Sequence, residues 1–327
     1  METRSLGSLT VSVVGVGCNQ FGTKGCDEAT AVKVINEAID AGITYFDSAD
    51  EYGMDYSNHD DATGWGGSEE ILGRALKGKR DQVVLGSKFG IPPHADTEGR
   101  GGGSARWARA ALEDSLRRLQ TDHLDLYQFH MPDPTVPIEE TLGVMNEFIT
   151  AGKVREIGCC NRNGDSLREA ATIAADKGLR PFRTTQSALN LFKRTALSDE
   201  VPACVETGMS FIPYYPLASG MLTGKYKRDH IPTGTRLTEQ VDAGAQARLF
   251  SDKTFARLDA LERFAAERGH TLLELAFAWL LAQPTVATVI AGAAKPGQAA
   301  SNAAAAAVWR LTPDEAAAAT QAVVSAG

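Results

Sequence analysis

Short apolar runs rich in β-branched residues recur along the chain, and most are followed by a longer stretch whose apolar residues return every three or four positions. The first pattern is that of a buried strand, the second that of a helix with one face against a core. Strands are predicted over 11–17, 43–47, 83–87, 124–130, 157–160, 184–186, 210–213 and 288–291. Helices are predicted over 27–41, 68–77, 104–118, 138–151, 166–176 and 200–206, with a closing set over 252–268, 272–281 and 297–308. Asp27 with Glu28 marks a start, Gly42 follows an end, and Ser68-Glu69-Glu70-Ile71 reads as an opening. Eight strands, each chased by a helix, predict a closed parallel (β/α)8 barrel of the TIM type, an α/β single domain over 1–327.

Two polar segments interrupt the rhythm, 53–67 after the second predicted strand and 224–251 after the seventh. In a barrel of this kind, strand-to-helix loops lie at the carboxyl face, where ligands bind. The alanine-rich run 303–307 is expected to be helical, alanine being the best helix former.

Composition narrows the picture. With 43% hydrophobic and 23% charged residues, the chain is that of a globular protein, and its net charge of −8 argues against a nucleic-acid surface. Cys18, Cys26, Cys159, Cys160 and Cys204 form no C-x-x-C pair and are odd in number, so they read as free thiols in a reducing compartment. No apolar run approaches a membrane span and the amino end lacks signal-peptide order, so the cytoplasm is the expected setting.

Four polar residues stand at or just past the ends of predicted strands: Asp47, Tyr52, Lys88 and His130. Parallel strands of a barrel end at one rim, so the four are expected around one site. Each has a plainer reading: an aspartate capping a turn, a tyrosine or histidine in packing. Lys88 fits that reading least, because an ammonium in a barrel mouth needs a counter-charge, and Asp47 is the natural one. A phenol titrates near 10, and a neighbouring ammonium is expected to lower that value and ready Tyr52 for proton transfer. His130 is then placed to donate to the oxygen of an aldehyde or ketone.

The strings Gly42-Ile43-Thr44-Tyr45-Phe46-Asp47-Ser48-Ala49 with Tyr52-Gly53, Gly67-Ser68-Glu69-Glu70-Ile71-Leu72-Gly73-Arg74, Ser87-Lys88-Phe89-Gly90, and Asp122-His123-Leu124-Asp125-Leu126-Tyr127-Gln128-Phe129-His130 carry a family likeness. So does Gly152-Lys153-Val154-Arg155-Glu156-Ile157-Gly158, and over nearly its whole length the chain resembles the aldo-keto reductases. The resemblance implies that Asp47, Tyr52, Lys88 and His130 are a catalytic tetrad, with Tyr52 as general acid and hydride coming from a nicotinamide. It implies that Asn161 and Gln186 bind the carboxamide of that ring and that Tyr214 stacks on it. Leu217, Ser219, Gly220, Leu222 and Lys225 would line the pyrophosphate. Gly292, Ala294, Lys295, Gln298 and Asn302 would meet the adenosine end at a helix start, where free N–H groups favour phosphate. Lys295 points to NADPH, with NADH the alternative coenzyme.

The chain departs from the family pattern at Cys160, a cofactor-side position where serine is usual, and at Tyr215, where the loop often has serine. Gln298 and Ser301 stand where arginine and glutamate are frequent. Phe21, Trp65 and Phe89 are the apolar candidates for a substrate wall. The run Gly101-Gly102-Gly103 lacks dinucleotide-motif spacing, and His59, Asp60 and Asp61 are adjacent rather than spaced for metal ligation, so no metal is expected. The expected function is NADPH-dependent reduction of a small carbonyl compound. Its rivals are an NAD-dependent sugar or alcohol dehydrogenase of the same fold, a cofactor-binding regulatory subunit with little turnover, and a metal-assisted barrel hydrolase.

Overall fold

The structure, a computed structural model, describes residues 1–54, 64–91, 102–239 and 241–326. The chain enters through an antiparallel hairpin of β1 (Thr3–Leu6) and β2 (Leu9–Ser12). Eight parallel strands follow: β3 (Val14–Gly17), β4 (Tyr45–Asp47), β5 (Val84–Phe89), β6 (Leu124–Phe129), β7 (Val154–Cys160), β8 (Thr184–Ala188), β9 (Ser210–Tyr214) and β10 (Val289–Gly292). They are ordered β10-β3-β4-β5-β6-β7-β8-β9. Phe211 of β9 donates its N–H to Thr285 O at 2.8 Å and accepts from Ala287 N at 3.2 Å, in the segment that leads into β10, which closes the sheet into a barrel.

The helices lie between the strands, as a right-handed crossover between parallel neighbours requires. They are α1 (Glu28–Asp40), α2 (Gly67–Ala75), α3 (Ala105–Leu119), α4 (Ile138–Thr150), α5 (Gly164–Asp176) and α6 (Glu200–Thr207). After β9 come α7 (Arg236–Glu239), α8 (Ala243–Leu249), α9 (Asp252–Ala266) and α10 (Leu272–Leu281), and after β10 come α11 (Gln298–Val308) and α12 (Pro313–Ser325). The Asp27 side chain accepts from Thr30 N and caps α1, while Thr271 with Glu274 and Thr312 with Glu315 form capping boxes at α10 and α12.

Alternation along each strand divides its side chains between two layers. Phe46, Leu85, Tyr127, Phe129, Ile157 and Phe211 face outward into the main core beneath the helices. Tyr45, Leu126, Ile212 and Ile290 face inward and pack with Leu6, Leu9 and Val11, so the entry hairpin plugs the amino end of the barrel. Room inside is tight. A Cβ on Gly86 would come within 2.7 Å of the Tyr45 hydroxyl, so glycine is what lets that ring fill the interior.

The fold departs from the sequence-based reading in three places. The strand predicted over 11–17 is two strands broken at Val13, whose N–H turns to Glu2 O at 3.0 Å. The long segment 224–251 carries α7 and α8, neither reaching two full turns, and α12 was not anticipated because its alanines blur the polar-apolar contrast. Among the described residues no helix is long and apolar enough to cross a membrane.

Candidate active site

The carboxyl ends of β4, β5 and β6 hold the four polar residues together. Asp47 ends β4, Lys88 is next to last in β5, and His130 follows β6. Tyr52 reaches them because the chain after β4 stays laced to β5: Ser48 N donates to Gly86 O at 2.9 Å, and Asp50 N to Lys88 O at 3.0 Å. The segment then turns, with Tyr52 N on Ala49 O at 3.2 Å and Tyr52 O accepting from Ser68 N at 3.0 Å. Gly53 takes φ +106°, and a Cβ there would lie 2.8 Å from Gly64 O, so the turn after Tyr52 requires glycine.

Lys88 is fully buried, and its ammonium donates to Asp47 Oδ2 at 2.6 Å, Ser48 O at 2.8 Å and the Tyr52 hydroxyl at 3.2 Å. Its three donors are thereby used. Because the ammonium donates to the phenol oxygen, the phenol keeps its own hydrogen free for another acceptor. The other Asp47 oxygen, Oδ1, accepts from the Tyr45 hydroxyl at 3.0 Å, Gln186 Nε2 at 3.1 Å and Gln128 Nε2 at 3.3 Å. The His130 ring meets the Tyr52 ring edge-on, 5.8 Å between centroids.

Burial alone would push the Lys88 ammonium down, but Asp47 and then Tyr52 outweigh it, and the group stays charged. For Tyr52 the balance runs against the sequence-based expectation. Burial pushes its phenol above the ordinary value of 10, Lys88 pulls it down, and burial wins. Tyr52 is therefore held protonated rather than made a ready phenolate. Burial, followed by Lys88, holds His130 far below its ordinary value, so the imidazole is neutral.

The expected coenzyme contacts divide. Asn161, at φ +57°, donates from its side chain to His130 O at 3.1 Å and accepts from the Tyr214 hydroxyl at 2.8 Å. Gln186 is nearly sealed and donates to Asp47, which puts it beneath the site's floor rather than on open surface. Cys160 is wholly buried at the end of β7. Ala218, Ser219 and Gly220 all have positive φ, after a partly buried Leu217, in a left-handed bend where Ala218 N donates to Tyr215 O at 3.1 Å and Gly220 N to Leu217 O at 2.8 Å. Leu222 is fully buried and its N–H donates to Leu217 O at 3.1 Å, which puts it beneath the bend rather than on its surface.

Two cations stand by that bend. Lys225 is pulled below its ordinary value by burial and by the Lys295 ammonium, and neither lysine makes an ion pair among the described residues. Paired ammonium groups without a carboxylate suit an anion, and a dinucleotide phosphate fits that chemistry. Just before α11 three N–H groups are already engaged: Gln298 Oε1 accepts from Ala294 N at 2.8 Å and Lys295 N at 3.0 Å, and Glu37 Oε2 accepts from Gly297 N at 2.6 Å. Gly292 is exposed beside them and Asn302 is buried on α11.

Two of the substrate candidates are corrected. Phe89 is wholly buried and stacks on Tyr127 and Phe129 at 5.0 and 5.5 Å, because Lys88 points inward and its neighbour must point outward. Phe21 is likewise sealed in the main core. Trp65 is half-buried in the turn before α2. His59, Asp60, Asp61 and Gly101 lie outside the described residues, and among those described no cluster of three or more His, Cys, Asp or Glu could hold a metal.

The sequence reading missed Tyr45, Gln128 and Glu51. Tyr45 and Gln128 each sit two residues before a predicted site residue, so strand parity alone points them into the same cavity. Glu51 gives no such signal. Its Oε1 lies 3.6 Å from His130 Nδ1, and burial lifts its carboxyl from the ordinary 4.5 to about 7 against the pull of Lys88.

A parallel barrel carrying an Asp–Lys–Tyr contact and a neutral histidine at its carboxyl rim defines a class of oxidoreductase, and comparison with known proteins gives the family. The chain belongs to the aldo/keto reductase family, which it matches over residues 13–323. It is 36% identical over 296 residues to the aldo-keto reductase YhdN of Bacillus subtilis, covering 89% of this chain and 83% of that one. It is 31% identical over 312 residues to a probable voltage-gated potassium channel subunit beta of Oryza sativa subsp. japonica, covering 92% and 90%. The solved glycerol dehydrogenase AKR11B4 of Gluconobacter oxydans superposes with a TM-score of 0.81 at 29% identity, covering 99% of this chain and 95% of that one. The protein is an NAD(P)-dependent oxidoreductase of this family.

Proposed function

We propose that the protein reduces an aldehyde or ketone to an alcohol with NADPH, with Tyr52 as the general acid. The observation that carries this reading is the Lys88 ammonium, which donates to Asp47 and to the Tyr52 hydroxyl from a fully buried position. When bound, the coenzyme supplies the hydride. The chain's own work is to hold the carbonyl and move one proton. Neutral His130 donates a hydrogen bond to the carbonyl oxygen, and as negative charge grows there Tyr52 releases its proton to that oxygen. A phenol held above its usual value resists losing its proton to water but gives it to an alkoxide, which is far more basic. Lys88 takes up the charge left on Tyr52, and Asp47 keeps Lys88 in place.

Asn161 and Tyr214 would hold the carboxamide end, the bend at 218–220 with Lys225 the pyrophosphate, and Lys295 the 2′-phosphate. NADH is the second reading, favoured by the segment before α11, where the N–H groups of Ala294, Lys295 and Gly297 already have Gln298 and Glu37 as acceptors. Five buried, unbridged cysteines support action in the reducing cytoplasm by one barrel domain on a small-molecule substrate. The test is kcat/KM for NADPH and NADH with a panel of aldehydes and ketones, and with alcohols in reverse. Faster carbonyl reduction with NADPH is expected. Preferred alcohol oxidation with NAD would mark a dehydrogenase, and coenzyme binding without turnover would mark a regulatory subunit.

A further inference from the structure

Beside the four residues of the site stands a fifth titratable group with no part in the proton transfer above. Glu51 has a side chain only 12% exposed and makes no hydrogen bond among the described residues. The nearest cation, Lys88, has its three donors committed to Asp47, Ser48 O and Tyr52. What Glu51 does face is His130, with Oε1 3.6 Å from Nδ1. That nitrogen is sealed from solvent without a hydrogen-bond partner, which is costly for a buried polar atom. The gap exceeds a hydrogen bond by a few tenths of an ångström, and such contacts tighten when a ligand binds.

A neutral imidazole carries one proton, and its tautomer follows the hydrogen bond made by the other nitrogen. With Nδ1 turned inward to Glu51, Nε2 is the nitrogen left for a bound molecule. We propose that Glu51 is a positioning residue that decides which nitrogen of His130 carries the proton, and so whether His130 donates to a carbonyl or accepts from an alcohol. The inference rests on the carbonyl-reduction reading above. A protonated Glu51 donates its O–H to Nδ1, so the ring proton sits on Nε2 and is offered to a carbonyl oxygen. When Glu51 loses its proton to solvent, the carboxylate becomes an acceptor. The ring proton moves to Nδ1, Nε2 turns its lone pair outward, and the pair has lost one proton in total.

The charges around this pair favour one shared proton rather than an ion pair. Lys88 from β5 opposes protonation of both groups, and Asp47 from β4 is neutralised by Lys88. Within the same segment Tyr52 stays protonated, and burial, then Glu69, pushes the Asp50 carboxyl well above the usual carboxylate range. Glu51 is thus the group that titrates near 7 while His130 stays neutral.

The test is the 15N spectrum of histidine-labelled protein at pH 6 and pH 8, with the His130 signals identified by their loss in His130→Asn. The Nε2–H tautomer is expected at pH 6 and the Nδ1–H tautomer at pH 8. In Glu51→Gln the amide can donate or accept but does not titrate, so the same His130 tautomer is expected at both pH values. Carbonyl reduction should fall about tenfold from pH 6 to pH 8 in the wild type, the scale of a single acid titrating between them, and stay flat in the variant. His130 signals that do not change in the wild type, or that change equally in Glu51→Gln, overturn the proposal. A tautomer switch in a protein with no carbonyl turnover would instead sink the reductase reading and leave the Glu51 assignment standing.

Discussion

The Lys88 ammonium lies 2.6 Å from the Asp47 carboxylate with both side chains essentially sealed from water. Removing one member of such a pair leaves the other buried and uncompensated. Asp47→Ala is expected to destabilise the protein by about 3–5 kcal/mol and to abolish turnover, whereas Asp47→Asn combined with Lys88→Met recovers most of the stability and none of the activity. Denaturant unfolding with parallel assays checks both halves. A double variant no more stable than the single one would show that the pair's geometry, not its charge balance, matters to the fold.

Glu51 makes stability depend on pH with a definite sign. Its carboxyl titrates near 4.5 unfolded and about 7 folded, so between those values the native state binds more protons and stability falls as pH rises. Glu51→Gln removes this dependence. The variant should match the wild type near pH 4.5 and exceed it by up to about 3 kcal/mol at pH 8, with the gap opening between. Unfolding midpoints across pH 4.5–8 decide it, and a constant difference at all pH values would contradict the assignment.

Lys295 stands at the α11 start with no carboxylate partner among the described residues. If it meets the 2′-phosphate, Lys295→Met should weaken NADPH by about ten- to a hundredfold, the scale of a lost charged hydrogen bond, and NADH by less than threefold. Fluorescence titration of both coenzymes measures this directly. Equal weakening of the two would place Lys295 at a group they share.

The barrel was legible in the sequence because its strands are short apolar runs that end in polar residues. Asp47, Lys88 and His130 stand out for that reason, and Tyr52 follows from its motif. What escaped depends on distance and dielectric rather than order. Phe89 looked like a pocket wall until strand parity turned it outward behind Lys88. The rise of the Tyr52 phenol could not be read from its neighbours, since burial outweighs the adjacent ammonium. The entry hairpin was hidden because its second strand runs directly into the next, Val11 and Val13 being followed at once by Val14 and Val16 in one apolar run.

The central claim is that Tyr52 delivers the proton, and Tyr52→Phe tests it most directly because it removes one hydroxyl from a packed ring. Coenzyme titration followed by turnover of a carbonyl substrate is the measurement. Coenzyme affinity within about twofold of wild type, with turnover lower by a factor of about 100 or more, is the expected result. Turnover equal to that of the wild type would contradict the account, whatever the coenzyme affinity.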